Sequence, residues 1–185
     1  MLILSTMVSL DGYVAAPGEG WEQIDWHRAD DAWERYSMEL LDGADTLLLG
    51  RRTYEGFAAF WPEQVGELAQ RLNTVRKVVV STTLAAGSWR ETQVIRDRVP
   101  EAIAALKAES GRDILIFGSG ELSATLTRYG LIDEYRLAFN PVVLGGGTPL
   151  FTPGAPRLNL AFVGVKPFAS GVVELRYRPE PGVMP

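Results

Sequence analysis

The chain has no cysteine and a single histidine, His27, among its 185 residues. The first absence excludes disulfides, thiolate metal sites and cysteine nucleophiles, and fits a reducing compartment. The second excludes a histidine metal cluster, so no metal is expected. Positive charge is also in deficit: 18 Lys and Arg against 23 Asp and Glu give a formal net charge of -5 and a pI near 5.0. Nucleic acid and anionic membranes both attract a basic face, so neither partner is expected. No apolar run is long enough to cross a bilayer, and Met1-Leu2-Ile3-Leu4-Ser5 lacks a basic secretion leader, which points to the cytoplasm.

What is present is 46% apolar residues, enough at this length for one substantial core, so residues 1–185 read as a single domain. Leu2 to Val8 reads as a first strand. Ser9 to Asp25, with Gly12, Pro17, Gly18 and Gly20, reads as a mobile loop. From Trp26 onward, Ala29, Trp33, Tyr36 and Leu40 recur at helical spacing until Gly43. Thr46 to Leu49, Val78 to Val80 and Ile114 to Phe117 are apolar on both faces, as central strands between helical layers are. Pro100 stands where a first helical turn tolerates it. After Asp133 the pattern changes to alternation, at Tyr135, Leu137 and Phe139 and again at Val173, Leu175 and Tyr177, which predicts antiparallel strands. The expected architecture is a mixed, mostly parallel sheet with helices on both faces.

Three strand ends carry candidate chemistry. Leu49-Gly50-Arg51-Arg52-Thr53 places a glycine and two arginines where a helix begins, and free helix N-H groups with arginine beside them suit a phosphate. The alternative is a plain turn capped by Thr53. Phe117-Gly118-Ser119-Gly120-Glu121-Leu122 ends a strand the same way and could cradle a pyrophosphate, or form a tight turn capped by Ser119. Val80-Ser81-Thr82 adds hydroxyls at a third end. Ligands of open α/β sheets lie beyond the carboxyl ends of the strands, so three such ends suit one extended ligand. Neither the full Rossmann fingerprint nor a P-loop is present.

With Ser9-Leu10-Asp11-Gly12, Gly50-Arg51-Arg52-Thr53-Tyr54, Ser81-Thr82, Gly118-Ser119-Gly120-Glu121 and Asn140-Pro141 through Gly145-Gly146-Gly147 to Phe151, the sequence resembles the dihydrofolate-reductase-like superfamily. It looks most like stand-alone bacterial relatives of the riboflavin-pathway pyrimidine reductase. The resemblance implies a three-layer fold and NADPH as hydride donor. It places Arg51 and Thr53 near the adenosine phosphates, Ser81 near the 2'-phosphate, and Gly118, Ser119, Gly120, Glu121 and Leu122 under the pyrophosphate. Arg52 and Thr82 add the cationic and hydroxyl donors that a 2'-phosphate needs.

A reductase also needs a proton source, which the family draws from an acid early in the helix before the Gly-Arg motif. Spacing to Gly50 favours Glu34, whereas the Asp-Ala-Trp context favours Asp31. Both also suit a helix dipole, Asp31 paired with Arg35. Asp11 is a third candidate, with a plain Asp-Gly turn as its alternative. The Ser9 to Asp25 loop fits a lid whose Val14 and Ala15 are small enough to approach a nicotinamide ring. Trp21, Trp26 and Trp33 could wall a flat substrate or belong to the core. His27 could contact substrate, but is rather expected to face solvent at the helix start. The glycines at 145–147 could approach the cofactor or serve as a sharp reversal. The resulting expectation is an NADPH-dependent reductase of a small planar heterocycle, homodimeric like its relatives. The alternatives are a non-catalytic dinucleotide-binding or regulatory protein and a phosphosugar-binding module.

Overall fold

The computed structural model describes residues 1–109 and 111–180. In chain order the elements are β1 (Leu2–Ser9), β2 (Tyr13–Ala15), a 3-10 turn (Gly20–Gln23), α1 (Asp31–Gly43), β3 (Ala44–Gly50) and α2 (Arg51–Phe60). A second 3-10 turn (Trp61–Glu63), α3 (Glu67–Thr74), β4 (Arg76–Val80), β5 (Thr92–Ile95), α4 (Val99–Glu109) and β6 (Asp113–Phe117) follow. The remainder is α5 (Gly120–Arg128), β7 (Glu134–Asn140), β8 (Thr148–Pro149), β9 (Leu160–Pro167) and β10 (Val173–Pro179).

The strands form one eight-stranded sheet in the order β5-β4-β3-β6-β1-β7-β10-β9. Neighbours from β5 to β7 are parallel, and β10 runs antiparallel to both β7 and β9. Apolar residues on both faces of the central strands are explained by two cores. Leu4, Val8 and Ile116 meet Ile103 of α4 and Leu126 of α5 on one side. Ile3, Leu47 and Leu49 meet Leu40 of α1 and Leu72 of α3 on the other. The result is the three-layer, dihydrofolate-reductase-like architecture. Among the described residues, no helix is long and apolar enough to cross a membrane.

Alternation misled the reading of β7 in one respect. It pairs with β10 in the expected antiparallel sense, but its other neighbour, β1, is parallel, with Ser5 opposite Arg136. Its polar positions are also covered, because they neutralise one another. Glu134, nearly fully buried, accepts from Arg136 Nε at 2.6 Å and pairs with Arg178 at 2.7 Å. Arg136 then donates to the Tyr36 hydroxyl of α1 at 3.1 Å. This polar contact, with Trp33, Tyr36 and Phe168 packed edge to face at 5.3–5.8 Å, seats α1 on the sheet.

The first helix starts later than its periodicity predicts. Asp30 is its N-cap, accepting the Trp33 N-H at 2.8 Å, while Arg28 N-H is committed to Asn140 Oδ1 at 2.8 Å. Trp26 to Ala29 therefore bridge the loop to β7 instead of joining the helix. The preceding loop is also not structureless: β2 pairs with β8, a two-stranded unit outside the main sheet.

Candidate functional site

The sheet order brings the candidate strand ends together. β4, β3 and β6 are consecutive neighbours, so Ser81, Gly50 and Gly118 lie in a row, at roughly 5 Å per strand. On the other side, Ser5 of β1 pairs with Phe117, the last residue of β6, so β1 runs on for four residues to Ser9. The Gly118–Gly120 turn therefore sits on a ledge beside β1, with Gly118 N-H donating to Ser5 O at 3.2 Å.

The two glycine turns touch. Gly50 N-H donates to Ser119 Oγ at 3.1 Å, and a Cβ on Gly50 would stand 3.5 Å from the Cβ of Leu122. Gly118 and Ser119 take consecutive left-handed conformations, with φ of 65° and 59°. Neither α2 nor α5 has a side-chain cap. Thr53 and Ser119 thus do not cap these helices. The first N-H groups of both helices meet at adjacent strand ends, where their partial positive charge favours an anion.

Basic groups flank this junction. Arg51 donates to Thr83 Oγ1 at 2.6 Å and pairs with Glu55 at 3.1 Å, while Arg52 pairs with Glu121 at 3.2 Å across the two turns. Glu121, expected under a pyrophosphate, is thus joined to Arg52. The Ser81 hydroxyl accepts from the N-H groups of Thr83 and Leu84 at 3.2 and 3.0 Å, leaving exposed Thr82 to project. Arg96, at the end of β5, donates to the carbonyls of Leu84 and Ala85 at 2.6 Å each. Thr83 and Arg96 were not anticipated. Thr83 sits one place beyond the recognised Ser-Thr pair, and Arg96 follows an edge strand too short and polar to stand out.

The loop after β1 is built around Asp11. Its carboxylate accepts from Ser9 Oγ at 2.6 Å, Leu144 N-H at 3.1 Å and Gly145 N-H at 2.7 Å. The Ser9 hydroxyl first, then the two amides, hold this carboxyl down at about 2. The same region is joined by Leu10 N-H to Val142 O at 2.8 Å and Leu150 N-H to Gly12 O at 2.9 Å. β2 then lies on the start of α5: a Cβ on Gly120 would come within 2.7 Å of Val14 Cγ2. A Cβ on Gly147 would overlap the Ala15 carbonyl, so that glycine permits the β2–β8 contact.

The first turn of α1 presents Asp31 and Glu34 exposed. Among the described residues, Asp31 forms no ion pair with Arg35, and neither acid's carboxylate accepts a hydrogen bond. Asp30 is committed differently: the Trp33 and Ser170 N-H groups, at 2.8 and 3.0 Å, hold its carboxyl below the usual range. His27 is not solvent-facing as expected. Its Nε2 is buried with no partner among the described residues, and burial takes its pKa down to about 4 against the pull of Asp25. Trp26 and Trp33 pack against the α1-side core, and the side chain of Trp21 lies outside the described residues.

A second buried acid, besides Glu134, was not signalled by the sequence. Glu174 of β10 is 0% exposed, and neither carboxylate oxygen has a hydrogen-bond partner among the described residues; Arg176 Nε is 3.6 Å away. Burial raises its pKa, opposed by Tyr36, Arg136, Arg176 and Lys166. Regular alternation along β10 disguised it as a solvent-facing position.

The model of the RibD C-terminal domain family matches residues 1–174. Uncharacterized protein YyaP of Bacillus subtilis (strain 168) is 33% identical over 181 residues, covering 95% of this chain and 93% of that protein. Among solved structures, a putative riboflavin biosynthesis protein from Shewanella sp. PV-4 superposes with a TM-score of 0.76 at 22% identity, covering 97% of this chain and 98% of that one. Dihydrofolate reductase from Enterococcus faecalis, complexed with NADP(H), gives 0.66 at 16% identity, covering 97% and 96%. The two structures establish a shared dihydrofolate-reductase-like fold. The family match over nearly the whole chain and the relative at 33% identity establish more: this chain belongs to the RibD C-terminal domain family.

Proposed function

We propose that the protein is an NADPH-dependent reductase of a small planar heterocycle, pteridine-like or ribosylaminopyrimidine-like. The observation that carries this reading is the Gly50–Ser119 junction, where two uncapped helix N-termini meet at neighbouring strand ends. The residues fit a dinucleotide. Gly118 has open space where a Cβ would stand, Arg51 reaches the Ser81–Thr83 turn after β4, and Arg52 reaches Glu121 of α5.

When bound, NADPH supplies the hydride. The chain's own residues divide the remaining work. The α5 N-H groups from Gly120 to Leu122 hold the pyrophosphate, and Arg51 and Arg52 exchange their Glu55 and Glu121 partners for phosphate oxygens. Val14 and Ala15, carried on β2, close over the nicotinamide and exclude water. Asp11, kept ionised by three hydrogen bonds, serves to pin that lid to the Leu144–Gly145 amides and is a poor proton donor. The proton then comes from Asp31 or Glu34, directly or through an ordered water, to the C=N or carbonyl group being reduced.

Titrating intrinsic tryptophan fluorescence with NADPH and NADH tests the cofactor, and equal weak affinity for both would reject it. Asp31→Asn and Glu34→Gln test the donor in a protein with measurable NADPH oxidation. Loss of turnover in one, with nucleotide affinity retained, identifies it; full activity in both rejects acid delivery from α1. A homodimer, expected from the family resemblance, is a further part of this reading, with β9 as its contact.

A further inference from the structure

We propose that Arg96 is a positioning residue that sets the preference for a 2'-phosphorylated dinucleotide over the unphosphorylated form, which rests on the function proposed above. The candidate phosphate-binding turn, Ser81 to Ala85, is fixed at several points. Ser81 N-H donates to Ile95 O at 2.9 Å, tying the start of the turn to the end of β5. The Ser81 hydroxyl fills its interior by accepting from Thr83 and Leu84 N-H groups. Arg51 holds its front through Thr83 Oγ1 at 2.6 Å. Arg96, the residue after Ile95, closes its far end, one guanidinium nitrogen on Leu84 O and the other on Ala85 O, both at 2.6 Å.

The fork matters as much as the charge. Two carbonyls on successive residues need two donors held in one plane, which guanidinium supplies and a lysine ammonium does not. Arg96 also keeps its charge available: among the described residues no carboxylate pairs with it, whereas Arg51 and Arg52 are each paired with a glutamate. Its field therefore adds to an anion site while its bonds hold Thr82, Thr83 and Arg51 in register. A turn already shaped loses little conformational freedom on binding, and that saving applies only to a ligand whose phosphate contacts the turn.

The test compares wild type, Arg96→Lys and Arg96→Met by tryptophan-fluorescence titration with NADPH and NADH, and by hydrogen exchange of Thr83 to Ala86 amides without nucleotide. The expected result is an NADPH dissociation constant about tenfold weaker in R96M, near-unchanged NADH binding, partial recovery in R96K, and faster exchange of the turn in R96M. The exchange readout needs no ligand, and thermal unfolding of both variants confirms that they are folded. An NADPH preference that survives R96M, equal weakening of both nucleotides, or unchanged exchange overturns the proposal alone. A wild-type protein that binds neither nucleotide overturns the reading of function itself, and this proposal with it.

Discussion

Ser119 accepts a hydrogen bond from Gly50 at 3.1 Å while holding a left-handed φ of 59°, so one side chain joins two turns 69 residues apart at the cost of local backbone strain. Removing the hydroxyl separates these effects. Ser119→Ala loses the acceptor and keeps the strain, and is expected to lower unfolding stability by about 1 kcal/mol. Ser119→Gly loses the same bond but relieves roughly 1 kcal/mol of left-handed penalty, so it should melt above the alanine variant. Thermal denaturation of the pair measures the difference.

The contact of β2 with Gly120 carries a steric prediction with its own rescue. Gly120→Ala would bring a methyl to 2.7 Å from Val14 Cγ2, displacing β2 from the start of α5. Activity or nucleotide affinity should fall, and the double variant with Val14→Ala should recover much of it. Gly147→Ala has no such remedy, because the obstacle is the Ala15 backbone and φ is 126°. A loss above about 2 kcal/mol is expected there in denaturant unfolding.

Asp11 gives an acid-side signature. Its folded pKa, about 2, lies below the ordinary 3.8, so its contribution is present above 3.8 and is lost as pH falls toward 2. Asp11→Asn should lack this component: the stability gap between wild type and variant closes across that window. A gap that stays constant through it would show that the Leu144 and Gly145 amides do not favour the charged form.

Glu174 predicts the opposite slope. Because burial raises its folded pKa above the ordinary 4.5, its contribution is present below that value and is lost as pH rises through the folded pKa. Glu174→Gln is therefore expected to be at least as stable as wild type at neutral pH, with a flatter pH dependence above 4.5. Chemical denaturation at a series of pH values measures both slopes.

The mixed, mostly parallel sheet and the glycine turns were legible because each rests on local chemistry: apolar runs between helices, and glycines where a strand meets a helix. β5 and β9 were not, since short or half-exposed edge strands carry no periodicity distinct from loop. Glu134, Arg136 and Glu174 were hidden for a different reason. Their sequence pattern is that of a solvated strand face, and only the seating of α1 over β7 and β10 buries them. At the site, strand ends predicted which backbone groups converge, but not which side chains satisfy one another. Ser81 and Asp11 both prove to be bound to the chain itself.

The β9 edge bears on assembly. Phe162, Val163 and Val165 are 61%, 42% and 52% exposed on a terminal strand of the sheet. Unpaired strand edges with apolar side chains invite a second chain. If the proposed dimer forms through β9, Val165→Lys should lower the mass in solution scattering to that of a monomer while leaving the distant β4, β3 and β6 strands intact, whereas an unchanged mass would reject β9 as the contact.

The position of β1 imposes an order on synthesis. Leu2 through Ser9 leave the ribosome well before their partners, because β1 lies between β6 and β7, pairing Leu2 with Ile114 and Ile3 with Glu134. Until those later segments emerge, an eight-residue, largely apolar strand has neither lateral neighbour. Such long-range closure slows folding and prolongs the time for which this extended apolar segment stays exposed.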